Sequence, residues 1–214
     1  IDEGAFQSSG ITSIIIPRSL AILKKYSFHN CLSLTTIDIP NNSILSVIGE
    51  YSFERSAITT IYLPSYLLTI GAYSFKDCTS LTSVTFANNI LLSEISKGLF
   101  AESGLTSITI PSSIKRISNE AFFGITSLNL LVFENTNINP SMLLSIGRYS
   151  FAYTRITGII EFPLNLKFID YGAFRDCEYI TSIIFPANSK LISIGVYSFA
   201  YTRITGIIEF PLNL

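Results

Sequence analysis

The chain has 214 residues, 48% of them apolar and 14% charged, with a net charge of −1. Its only basic doublets are Lys24-Lys25 and Lys115-Arg116, so the basic stripe that a nucleic-acid partner needs is missing. No apolar run approaches the roughly 18 residues of a bilayer span, so this segment carries no expected membrane crossing.

The N-terminal unit sets a pattern that the rest of the chain repeats. It runs Phe6-Gln7-Ser8-Ser9-Gly10-Ile11-Thr12-Ser13-Ile14-Ile15-Ile16-Pro17, and recurs from Phe53 to Pro64 and from Phe100 to Pro111. A longer form, from Phe28 to Pro40, has one more residue before the proline-terminated stretch and two more after it. Anchors fall at Phe6, Phe28, Phe53, Phe75, Phe100, Phe122, Phe151, Phe174 and Phe199, with spacings of 22, 25, 22, 25, 22, 29, 23 and 25 residues. Short and long units therefore alternate in a super-repeat of about 47 residues. Fixed self-similarity on this scale marks a solenoid, whose units bury their apolar faces only by stacking. Segment 145–166 matches segment 193–214 at 21 of 22 positions, which indicates a recent duplication of a 48-residue pair.

Within each unit, the residues before the proline alternate. Ile14 and Ile16 flank Ile15, Ile37 and Ile39 flank Asp38, and Ile61 and Leu63 flank Tyr62. This is the period of a strand with one buried face. Proline has no amide donor and ends the ladder, with Ala87 and Glu134 standing in for it in two units. A second short apolar stretch follows, as in Leu45-Ser46-Val47-Ile48-Gly49 and Leu68-Thr69-Ile70-Gly71. Its glycine is expected to allow a tight turn into a short helical or 3-10 segment that carries the next Phe. The fold expected is one mostly β repeat solenoid over residues 1–214, with about nine coils of 22–25 residues.

Three segments carry a resemblance to a known family: Leu34-Thr35-Thr36-Ile37-Asp38-Ile39-Pro40, Leu81-Thr82-Ser83-Val84-Thr85-Phe86 and Ile117-Ser118-Asn119-Glu120-Ala121-Phe122. They resemble the BspA-like leucine-rich repeats, and the match covers essentially the whole chain. The sixth unit departs from the pattern with four added residues within Glu134-Asn135-Thr136-Asn137-Ile138-Asn139-Pro140, read as a bulged loop. Gly158 and Gly206 mark strand bulges in the seventh and ninth units. The resemblance implies a secreted or surface-displayed microbial or protist binding protein, often an adhesin, and implies no catalytic residues. Because the pattern is cut at both ends and there is no initiator Met or leader, the chain reads as a fragment of a longer array without capping units.

Cys31, Cys78 and Cys177 each sit three residues after an anchor Phe, in a column otherwise filled by Ser, Thr or Ile. Cys31 and Cys78 lie two coils apart, beyond disulfide reach, so free, semi-buried packing thiols are expected. There is no CxxC motif or His–Cys cluster, so no metal or cofactor is expected. The single histidine, His29, is expected on a solvated turn, away from any nucleophile. Glu161 and Glu209 fall about 10 Å apart by coil spacing, but they belong to a duplicated segment, and copying explains them more simply than an active site.

Two exposed columns remain. A strand face would present Ile15, Asp38, Tyr62, Thr85, Thr109, Val132, Glu161, Ile184 and Glu209. Flanking these are Ser13, Thr36, Thr60, Ser83, Ser107, Leu130, Ile159, Ser182 and Ile207. It reads either as a solvated β-face or as a ligand face. Tyr26, Tyr51, Tyr73, Tyr149 and Tyr197, each two residues before an anchor Phe, form either a self-supporting stack or a contact stripe. The leading expectation is a non-enzymatic adhesion module, extracellular or at the cell surface, that binds a host protein or glycan. The alternative is a structural protein that assembles head to tail into filaments.

Overall fold

The fold is described from a computed structural model covering residues 1–135 and 140–211. Each coil contributes one longer strand and one two-residue strand. The first two coils hold β1 (Ser13–Ile15), β2 (Ile22–Leu23), β3 (Thr36–Asp38) and β4 (Val47–Ile48). The third and fourth hold β5 (Thr60–Leu63), β6 (Thr69–Ile70), β7 (Ser83–Phe86) and β8 (Glu94–Ile95). The fifth and sixth hold β9 (Ser107–Ile110), β10 (Arg116–Ile117), β11 (Leu130–Phe133) and β12 (Ser145–Ile146). The seventh and eighth hold β13 (Gly158–Glu161), β14 (Phe168–Ile169), β15 (Ile180–Ile184) and β16 (Ser193–Ile194). All pairings are parallel. Odd-numbered strands form one face and even-numbered strands a second. The solenoid expected from the repeats is the fold that forms.

The third face is built from the turns around the phenylalanines, and it too is laddered. Amides two before, at, and two after the anchor donate to the next coil: Tyr26 to Glu50 (3.0 Å), Phe28 to Ser52 (2.8 Å) and Asn30 to Glu54 (2.8 Å). Intervening amides bond back within the turn, as His29 does to the Tyr26 carbonyl at 3.1 Å. This division of donors replaces the expected helical segment. A helix keeps its amides along its own axis, whereas here half must point at the neighbouring coil. The required backbone is left-handed at the two flanking positions, as at Tyr26 (φ 58°), Asn30 (φ 57°), Tyr51 (φ 55°) and Arg55 (φ 59°). L residues adopt that conformation at a cost of about 1–2 kcal/mol.

The glycines after the even strands serve a different purpose from the one their sequence context suggests. Gly49 and Gly71 do not have positive φ; a Cβ on Gly71 would lie 2.3 Å from the Glu50 nitrogen. They permit close approach between coils. Ser96 occupies the equivalent place in the fourth coil and donates its hydroxyl to the Ile70 carbonyl, at the point where the even-strand ladder is interrupted between β6 and β8.

Inside, the nine anchor rings form one continuous stack, with successive centroids 4.9–5.6 Å apart. Phe28 through Phe174 in this column are fully buried, while Phe6 and Phe199 at its ends are half-buried. A parallel column of Leu45, Leu67, Leu92, Ile114, Leu143, Leu166 and Leu191 fills the corners. Phe199 continues the ring stack, but residues 204–211 form no strand, so eight coils rather than nine are laddered. The bulge expected at Gly158 is present as a register shift between Gly158 and Ile159, with Gly158 at φ 77°. At Gly206 there is no ladder to bulge. Of the expected sixth-unit loop, residues 136–139 lie outside the described residues.

The odd-numbered face is laddered only at alternate junctions. β1 pairs with β3, β5 with β7, β9 with β11 and β13 with β15, so each short unit is joined to the long unit that follows it. No ladder joins β3 to β5, β7 to β9 or β11 to β13. Closed junctions also continue their hydrogen bonds into the corner, as from Ala87 to Leu63 and from Leu91 to Ser65. The seam between β7 and β9 is pinned by Thr106 to Thr82 at one end and by Lys115 to Ser93 at the other. Between those bonds Val84 and Phe86 are only half-buried.

Candidate functional site

Corner lengths differ between the coils beside this seam. In the fifth coil the chain passes from Pro111 to β10 through residues 112–115, whereas the fourth takes 88–93 and the sixth 135–144. The short corner therefore lies between two longer ones. Above it sits a trough of ≈ 870 Å³ that begins at the open β7/β9 seam and reaches Asn165 of the seventh coil. Val84, Phe86, Ile90 and Met142 give it apolar surface, and Ser83, Thr85, Ser107, Thr109, Asn88 and Asn89 give it hydroxyls and amides. Glu134 is the one ionisable side chain among the lining residues, and its carboxylate accepts from the Ser112 amide at 2.9 Å. The Ser113 hydroxyl donates to the Leu92 carbonyl at 2.9 Å, fixing the short corner to its neighbour.

Thr85 and Thr109 of the expected strand face line this trough. The register places Ile15 beside Asp38, Tyr62 beside Thr85, Thr109 beside Val132 and Glu161 beside Ile184. All of these are exposed except Tyr62, which is half-buried; Glu209 is exposed beyond the last ladder. Apart from the exposed Ile15, the face is polar in its first half. Its second half exposes the apolar Leu130, Val132, Ile159 and Ile184 beside the acidic Glu161 and Glu209.

The tyrosine column is not one stripe. Tyr26, Tyr51 and Tyr73 stack at 5.2 Å, with Lys25 over the first two rings and Lys97 over the third. Gly98 then ends the run, because the Tyr73 ring occupies the space a Cβ would need; the Tyr73 hydroxyl reaches Glu120 at 3.4 Å. Tyr149 and Tyr197 are bridged edge-on by Tyr171, and Arg175 lies over Tyr197 and Tyr201. The partners of these rings are neighbours in the same chain.

His29 is not the solvated turn residue expected. Its Nε2 lies 3.2 Å from Glu54, Tyr26 covers it edge-on at 5.5 Å, and its buried Nδ1 has no partner. The cysteines are free, as expected, but wholly rather than partly buried. Each thiol donates to the carbonyl of the preceding anchor: Cys31 to Phe6 (2.9 Å), Cys78 to Phe53 (3.0 Å) and Cys177 to Phe151 (3.1 Å). Burial pushes the Cys78 thiol up to about 12 and Cys177 to about 11.

Sequence reasoning missed Asn88, Asn89, Ser112, Ser113 and Asn165 as site residues. The signal was the alternation of corner lengths, with the fifth-coil corner shorter than those of its neighbours.

No characterised protein sequence gives a significant match. A leucine-rich repeat protein from Bacteroides ovatus matches in structure with a TM-score of 0.59 and 20% identity, over 100% of this chain and 76% of its own. The pneumococcal vaccine antigen PcpA matches at TM-score 0.65 and 24% identity, over 95% of this chain, which spans 51% of that antigen. A leucine-rich cell surface protein from Faecalibacterium prausnitzii matches at 0.53 and 21%, over 96% and 62% of the two chains. These likenesses concern the fold. The BspA type leucine-rich repeat region matches residues 1–129 and 93–214 in six copies, and with the repeat geometry above this places the chain in that family.

Proposed function

We propose that the chain is a non-enzymatic binding module, carried outside the cell or at its surface, that engages a host protein or glycan through its odd-strand face and the adjoining trough. The trough carries this reading: it is a concave site that combines apolar surface with convergent hydroxyl and amide groups, the usual makeup of a recognition site. A surface location is supported by family membership and by the Faecalibacterium protein described as a cell surface protein. The test is to screen the labelled chain against immobilised extracellular matrix proteins and a glycan array, then to repeat any binding with Tyr62→Lys, Thr85→Lys and Thr109→Lys combined. The expected outcome is saturable binding that the triple variant loses while its circular dichroism is unchanged. Binding retained by the folded triple variant moves the site elsewhere, and no binding by the unaltered chain refutes the function.

A further inference from the structure

Within that binding reading, on which this inference rests, we propose that the trough takes up a lysine side chain of a protein partner, with its ammonium at Glu134 and its alkyl stem on the neighbouring apolar surface. The sequence marks the place. The position that closes the odd strand is proline in every unit from Pro17 to Pro211 except two, Ala87 of the fourth coil and Glu134 of the sixth. Both line the trough, one on either side of Pro111. The Glu134 amide still donates to the Ile110 carbonyl at 2.9 Å, so its backbone serves the fold as the others do while its side chain adds a charge.

That charge is unanswered within the chain. Glu134 is half-buried and is the one ionisable side chain of the trough. Among the described residues it joins no ion pair, and residues 135–140 contain no lysine or arginine. A carboxylate in a concave, partly apolar site attracts a cation and repels an anion. Its Oε2 accepts from the Ser112 amide at 2.9 Å, which leaves Oε1 to the ligand. A guanidinium reaches full strength by forking onto both oxygens of a carboxylate, whereas an ammonium is a point charge that needs one oxygen together with neutral acceptors. Asn88, Asn89 and Thr109 supply such acceptors in the same lining. The stem of lysine suits the rest: Phe86 and Ala87 are half-buried and Met142 is exposed, so apolar surface stays open for four methylenes to cover. A neutral sugar would leave Glu134 without a counter-charge.

The probe is the capped tripeptide Ala-Lys-Ala, titrated into the isotope-labelled chain and followed by the backbone amide signals in heteronuclear NMR. Two counterparts carry arginine or Nε-acetyl-lysine at the centre. Glu134→Gln removes the charge but keeps a carbonyl that can accept from Ser112, and Glu178→Gln, exposed and outside the trough, removes the same charge elsewhere. The expected result is saturable shifts at Asn88, Asn89 and Ser112 with the lysine peptide, and affinity lower by about tenfold for acetyl-lysine and in Glu134→Gln. Arginine should bind more weakly than lysine, and Glu178→Gln should change nothing. No saturable shift at those amides, equal affinity for lysine and either counterpart, or undiminished affinity in Glu134→Gln overturns the proposal. If Glu134→Gln does not fold, the three peptides on the unaltered chain still decide. A chain that binds a matrix protein or glycan but shows none of these shifts sinks this inference alone, whereas a chain that binds no partner in the screen sinks the function as well.

Discussion

Truncating one ring in the central stack should cost far more than truncating one at its end. Phe75 is fully buried, with Phe53 at 5.3 Å on one side and Phe100 at 5.5 Å on the other. Losing a buried Phe side chain costs about 3–5 kcal/mol, including the cavity left behind. Two lost ring pairs, at about 0.5–1.5 kcal/mol each, place Phe75→Ala near the top of that range. Phe6 is half-buried and stacks on Phe28 alone, at 5.1 Å. About half the transfer term and a single ring pair give roughly 2 kcal/mol for Phe6→Ala. Urea titrations followed by tyrosine fluorescence and far-ultraviolet circular dichroism measure both, since the chain has no tryptophan. In a one-dimensional array the central lesion also weakens the coils on both sides, so its transition should broaden as well as shift. Equal losses at Phe6 and Phe75 would refute the reasoning, because they would mean that the stack contributes nothing beyond each ring's own coil.

Other expectations concern the backbone and the thiols. Gly71→Ala, whose Cβ would press on the Glu50 backbone, should lower stability by about 1–3 kcal/mol; Gly10→Ala, which meets nothing within 4 Å, should stay within about 0.5 kcal/mol. Matched thermal melts of the two variants decide whether close coil approach is what the glycine column serves. Arg55→Gly should raise stability by about 0.5–1 kcal/mol, since an exposed residue at φ 59° is relieved of its left-handed strain; a lower Tm would contradict the turn geometry. The folded-state value of Cys78 is raised to about 12 by burial, so the native state holds its proton after the unfolded thiol has lost one. Its contribution to stability is therefore complete below about 9 and lost between about 9 and 12. Urea midpoints should fall across that window, less steeply in Cys78→Ser. The buried thiols should also resist iodoacetamide at pH 8 until urea unfolds the chain.

The repeat period exposed the coil plan because the Phe spacing and the alternation around Ile37 or Ile61 report burial directly. The turns were less legible. Tyr26, Arg55 and Glu102 have no sequence preference strong enough to announce left-handed backbone; the stacked neighbour imposes it by demanding donors on the outer side of each turn. Gly71 suggested a turn, yet its role is to let two backbones touch, a contact between residues some 22 positions apart. The trough was hidden for a similar reason. Ser112 and Ser113 look like ordinary loop residues until stacking brings Asn88 and Asn89 of the fourth coil and Met142 of the sixth to the same trough. His29 looked solvated because Glu54, which covers it, belongs to the next coil.

The alternating seams also bear on how such a chain changes length. A pair of units closed by its own ladder, such as β13 with β15, meets the neighbouring pairs on that face without strand hydrogen bonds that need exact register. Inserting or deleting one whole pair leaves every odd-face ladder intact, whereas a single unit added or lost would break one. The near-identity of 145–166 and 193–214 is the trace of such an event. The seams thus act as expansion joints: the array can grow in steps of one pair while each pair remains a finished piece of sheet.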